Sequence, residues 1–150
     1  KSGADTPVLT CAESDFNVSF PFEDEITEYN TDIKYTLNCY DGDGKLITSA
    51  ETTVRAAAPE NGIILAVKDG KRISECAAGD TVTVRAYPGG NAADYVVMAA
   101  VYAADGSLVS AQRAADGVFT PNAAGTVKLM LFDGLTKLTP LAAAKTLTVK

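Results

Sequence analysis

Apolar and polar residues alternate with a period of two along much of this chain. That is the repeat of an extended strand, whose side chains point in turn to opposite faces. In "TVTVRAY", residues 81–87, Val82, Val84 and Ala86 fall on one face, with Thr81, Thr83, Arg85 and Tyr87 on the other. "TLTV" at 146–149 repeats the pattern. "FNVSFPF" at 16–22 gathers Phe16, Val18, Phe20 and Phe22 on one face, and Pro21, which has no amide to donate, points to an edge strand. "DYVVMAAVY" at 94–102 and "TVKLMLF" at 126–132 are apolar almost throughout, as central strands covered on both faces would be. No segment sustains an i, i+3, i+4 stripe. The alanine-rich "TPLAAAK" at 139–145 has room for one helical turn, too short to be stable alone.

Asp-Gly pairs punctuate these runs at 41–42, 43–44, 69–70, 105–106, 116–117 and 133–134. Glycine tolerates positive φ and aspartate bonds its own backbone, so the pair suits tight reversals. Short strands separated by such turns every ten or so residues predict an all-β protein, a sandwich or barrel. One piece occurs twice. "YDGDGKL" follows the strand-like "DIKYTLNC", and "YAADGSL" follows "DYVVMAAV", with Tyr40 and Tyr102 in matching places. A hydrophobic pair comes next in each copy, Leu46-Ile47 and Leu108-Val109. The duplication predicts two tandem modules, 1–68 and 69–150, the alternative being one larger β-sandwich. A first module of that size buries too little surface to be robust alone and is expected to lean on its neighbour.

Charge sharpens the division. Residues 1–60 hold 4 basic and 12 acidic groups, residues 61–150 hold 9 and 7, and the composition shifts within "AAAPENG" at 56–62. The net charge of −6 opposes binding to phosphate backbones, so nucleic acid is not an expected partner. The longest uncharged apolar run, "VVMAAVYAA" at 96–104, is about half the length of a membrane-spanning helix, so no membrane span is expected. The opening "KSGADTPVL" lacks a basic-then-apolar signal pattern, the expectation for a mature N-terminus.

Candidate chemistry is sparse. There is no histidine to activate a nucleophile, no phosphate-cradling loop and no CxxC. Of Cys11, Cys39 and Cys76 at least one is unpaired within the chain. A Cys11–Cys39 bridge between adjacent strands and buried free thiols are the alternatives. A calcium loop needs oxygen ligands at its first, third and fifth positions, glycine at the sixth and a carboxylate at the twelfth. With Gly44 sixth, Asp41 and Asp43 fit, but Cys39 and Ala50 occupy the first and twelfth positions, and the second copy keeps only Asp105. No metal site is expected; Asp41 and Asp43 are the residual calcium candidates, and a hairpin turn is their expected role. Glu23, Asp24, Glu25 and Glu28 read as a solvated acidic loop rather than an acid–base pair. Tyr29, Tyr87 and Tyr95 are candidate ligand contacts, since aromatics on small β-modules stack against sugar rings.

Residues 94–149 resemble a module found at the C-termini of secreted and surface proteins of Firmicutes. The resemblance rests on Tyr102, the turn Asp105-Gly106-Ser107-Leu108, the pair Phe132-Asp133, and Leu138-Thr139-Pro140-Leu141. The chain departs from the family pattern at Phe132, where tryptophan is usual, and at Ala103, where aspartate is usual. The resemblance implies an immunoglobulin-like or fibronectin-III-like accessory fold, a secreted or cell-surface location, and no catalytic residues or cofactor. The expected function is a non-catalytic spacer or protein-interaction module of a larger extracellular bacterial protein. Its partners would be neighbouring domains or another extracellular protein. The alternative is a carbohydrate-binding module that holds polysaccharide on exposed tyrosines.

Overall fold

The structure, a computed structural model, describes residues 23–92, 94–114 and 117–150; Cys11 and the alternating segment 16–22 lie outside them. It is all-β, with no α-helix among the described residues. The strands are β1 (Thr31–Tyr40), β2 (Leu46–Ala56), β3 (Ile63–Lys68), β4 (Lys71–Arg72), β5 (Glu75–Cys76) and β6 (Val82–Tyr87). They continue as β7 (Val96–Tyr102), β8 (Leu108–Arg113), β9 (Val118–Phe119), β10 (Gly125–Phe132) and β11 (Lys145–Val149). The chain divides into two compact units, Lys1–Ala57 and Ala58–Lys150.

In the second unit, strand order β5-β11-β10-β7-β8 forms one sheet and β4-β3-β6-β9 another. Their alternating residues supply a single core. Ile64 and Ala66 of β3, Val82 and Val84 of β6 and Phe119 of β9 pack with Val97, Ala99 and Val101 of β7. Val127, Leu129 and Leu131 of β10 and Leu147 and Val149 of β11 complete it. Two sheets closing on one layer of side chains is a β-sandwich. Leu129, Leu147, Val82 and Val127 are fully buried. Each such aliphatic side chain contributes roughly 1.5–3 kcal/mol by leaving water. β7 and β10 take central places in their sheet, as their apolar runs predict, but only one face of each lies in the core. On the other face Lys128 of β10 is exposed and Met98, Tyr102, Met130 and Phe132 are half-buried, so neither strand is fully covered on both sides.

Two features depart from simple periodicity. Residues 139–145 form no helical turn. Pro140 instead makes an isolated bridge with Phe132, and the Leu141 amide donates to the Leu131 carbonyl at 2.9 Å. Leu141 and Ala142 pack against the core, a gain that one helical turn exposed to solvent could not match. The position 68/69 falls at the Asp69-Gly70 turn between β3 and β4, and β3 pairs with β6, so residues 63–68 belong to a sheet of the second unit.

The first unit contains a two-stranded antiparallel sheet, β1 paired with β2 from Thr31↔Ala56 to Tyr40↔Leu46. β2 is exposed at every position from Leu46 to Arg55.

Candidate interaction site

The duplicated sequence piece is a duplicated structure. In the first unit the Asp41 amide donates to the Lys45 carbonyl at 2.9 Å and the Gly44 amide to the Asp41 carbonyl at 3.0 Å. In the second, Ala103 donates to Ser107 at 2.9 Å and Gly106 to Ala103 at 2.9 Å. The glycines share left-handed φ values, 80° at Gly44 and 83° at Gly106. Both ladders shift register at the same place, between Cys39 and Tyr40 and between Val101 and Tyr102. Tyr40↔Leu46 and Tyr102↔Leu108 then close the two hairpins alike.

The aspartates serve these turns. Asp41 Oδ1 accepts from the Asp43 amide at 3.1 Å and the Lys45 amide at 2.8 Å. Asp105 Oδ1 accepts from the Ser107 amide at 2.9 Å and its hydroxyl at 2.7 Å. These bonds favour the ionised carboxylate and hold the Asp105 pKa below its ordinary value. Among the described residues no group of three potential metal ligands converges.

The correspondence carries into the strands, and there the two copies differ in environment. Directly opposed residues of an antiparallel pair share a face. One face of the first hairpin therefore carries Ile33, Tyr35, Leu37 and Cys39 beside Val54, Thr52, Ala50 and Thr48. The other carries Asp32, Lys34, Thr36 and Asn38 beside Arg55, Thr53, Glu51 and Ser49. The polar face is laced by Arg55–Asp32 at 3.0 Å, Lys34–Glu51 at 2.7 Å and a Ser49–Asn38 hydrogen bond at 2.8 Å. Aligning the two turns matches Tyr35, Leu37 and Cys39 with Val97, Ala99 and Val101. Those three are buried in the sandwich core, yet Leu37 is 65% exposed and Val54 52%. At Leu37 and Val54 the first hairpin thus shows to solvent part of a face that its counterpart covers with a second sheet, whereas Ile33 on the same face is buried and Tyr35 and Cys39 are half-buried. Leu46 and Ile47 are also exposed, as are their counterparts Leu108 and Val109.

Near the base of that face the Tyr35 hydroxyl donates to Asp24 Oδ2 at 2.7 Å. Burial, reinforced by the hydrogen bond to Asp24 and by its charge, pushes the Tyr35 phenol up to about 12. The neighbouring Glu23, Glu25 and Glu28 are exposed, while Asp24 is half-buried. Cys39 carries a free, half-buried thiol. Cys76 is free and buried in the second unit's core, where desolvation raises its pKa and leaves it a packing residue.

The three candidate ligand-contact tyrosines divide between the two units. Tyr29 is half-buried in the first unit. Tyr87 is half-buried at the end of β6, and Tyr95, just before β7, is 43% exposed. Tyr95 lines a cavity of about 190 Å³ together with Arg113, Val84, Ala86 and Val97. Periodicity alone did not single out the exposed apolar positions Leu37 and Val54. The phase of β1 was legible in "DIKYTLNC", but which face meets a second layer depends on residues far away in sequence.

No family model, curated protein or solved structure matches the chain.

Proposed function

We propose that the chain is a non-catalytic structural and protein-interaction module of a larger extracellular bacterial protein. On this reading the immunoglobulin-like sandwich of residues 58–150 is a rigid support and the first hairpin is the contact element. The observation that carries it is the apolar side of β1–β2, exposed at Leu37 and Val54, whose counterpart in the second unit meets the Val- and Ile-bearing strands of an opposing sheet. An exposed apolar β-face rimmed by charge is a surface that protein partners cover. Its chemistry calls for an apolar β-surface on the other side. The resemblance of residues 94–149 to accessory modules of secreted Firmicutes proteins supports the same assignment and the extracellular location. The second reading, sugar binding, is favoured by the exposed Tyr95 lining its cavity.

A photo-crosslinking side chain at position 37, with the same group at Thr36 as the opposite-face control, tests the proposal in an extract of cell-envelope proteins. Discrete protein adducts at 37 and not at 36 are expected. Equal labelling at both positions, or none, refutes it, and glycan-array binding lost in Tyr95→Ala supports the sugar reading in its place.

A further inference from the structure

A hairpin has edges as well as faces, and β2 is an unguarded one. It is eleven residues long, contains no proline, and pairs regularly from Thr48 to Ala56. Among the described residues only β1 lies beside it. Long exposed edges are commonly blunted by proline, bulges or inward charges, because their free amides and carbonyls accept another strand. The other strands at sheet edges here are β1, buried or half-buried at Thr31, Ile33, Tyr35 and Cys39; β4, β5 and β9, two residues each; and β8, which shares the register shift of β2 near its start but is six residues long.

The Ala56 carbonyl accepts from the Asn30 amide, so residue 56 points toward β1. Backbone groups alternate along a strand, which turns Ser49, Glu51, Thr53 and Arg55 outward. These are also the residues of the polar face. An antiparallel pair about a two-fold axis keeps each face on its own side, so outward residues of one copy meet outward residues of the other. Centring the axis on Glu51 sets Glu51 against Glu51, and centring it on Thr52 forms no ion pair. Centring it on Thr53 sets Thr53 against Thr53, Glu51 against Arg55 of the second copy, and Arg55 against that copy's Glu51.

We propose that β2 is a homotypic pairing edge, through which two copies of this chain join antiparallel about Thr53 into the four-stranded sheet β1-β2-β2-β1. The occupant is a second copy because the edge is complementary to itself in charge. Glu51 already bridges Lys34 and Arg55 already bridges Asp32. Pairing extends these into two rows of alternating sign, Lys34–Glu51–Arg55–Asp32, across the junction. Directly opposed residues in a hydrogen-bonded pair have Cα atoms about 5.5 Å apart, within reach of both side chains. On the reverse side Val54 meets Thr52 of the second copy, and the two apolar faces merge into one. This pairing uses the edge and not the apolar face, so it stands or falls separately from the contact function above.

The test is the molar mass of the full chain by sedimentation equilibrium across a concentration series, in reductant so that Cys39 cannot cross-link. Wild type is expected to approach twice its 15.6 kDa chain mass. Glu51→Arg and Arg55→Glu each place like charges across the junction and should weaken association about tenfold or more. Mixing the two variants sets the introduced arginine of one against the introduced glutamate of the other and should restore the dimer. Thr53→Pro removes an outward amide while sparing the intrachain ladder, and should leave a monomer with wild-type circular dichroism. A wild type that stays monomeric overturns the proposal. So do single charge variants as dimeric as wild type, a mixture no more dimeric than its components, or a folded Thr53→Pro chain that still dimerises. If Thr53→Pro does not fold, the charge-exchange mixture decides alone.

Discussion

Asp24 and Tyr35 show what one hydrogen bond does beside the first hairpin. The phenol is partly desolvated and donates to a carboxylate, and both effects oppose forming phenolate. Its folded pKa is therefore raised, from 10.0 to about 12. A raised value means that the stabilisation is fully present below the unfolded pKa and is lost as pH rises between these two values. Ultraviolet titration should show a late phenol phase near pH 12 that is lost in Tyr35→Phe. In Asp24→Asn that late phase should move toward the ordinary tyrosine value, though not reach it, because burial remains. Asp80 illustrates the opposite sign in the second unit. The Lys68 ammonium at 2.7 Å and the Ala77 amide at 2.8 Å hold its carboxyl below the usual value. That support is present at neutral pH and fades as pH falls through the lowered pKa.

Individual strands were legible where side-chain pattern reflects one local environment. "TVTVRAY", "DYVVMAAVY", "TVKLMLF" and "TLTV" correspond to β6, β7, β10 and β11, and the Asp-Gly turns at 41–44 and 105–106 close hairpins. The two-residue strands β4, β5 and β9 carry too few side chains for a period to show. Pairing choices were not legible either. β5 joins β11 in parallel through Glu75↔Thr148 and Cys76↔Val149, a contact between distant segments that neither announces. β10 is the element on which the sandwich depends most. It holds β7 on one side and β11 on the other, and its Leu129 has 0% exposure. Leu129→Ala should cost about 2–5 kcal/mol in chemical denaturation of the second unit, through lost burial and a residual cavity.

At the scale of the molecule, two units of unequal self-sufficiency share one chain. The second encloses a core fed by strands of both its sheets. In the first, the described two-stranded sheet leaves most of β2 in water, and such a hairpin is marginal by itself. The composition shift at 56–62 marked this division, because the exposed strand β2 gives way there to the buried "IILAVK" of β3. The apolar character of the hairpin face was visible in the sequence; its exposure at Leu37 and Val54 was not, since burial is a property of the assembled fold. Residues 58–150 expressed alone should fold and melt cooperatively within a few degrees of the main transition of the whole chain. Calorimetry checks this, and a fragment lacking a cooperative transition would show that the sandwich needs the hairpin.

β11 lies between β10, antiparallel to it, and β5, parallel to it, and the Lys150 amide donates to the Cys76 carbonyl at 2.9 Å. A tug transmitted through Lys150 along the strand axis would load these bonds in shear, all together instead of peeling them one by one. Tethered at that end, the sandwich would yield to mechanical force late and abruptly.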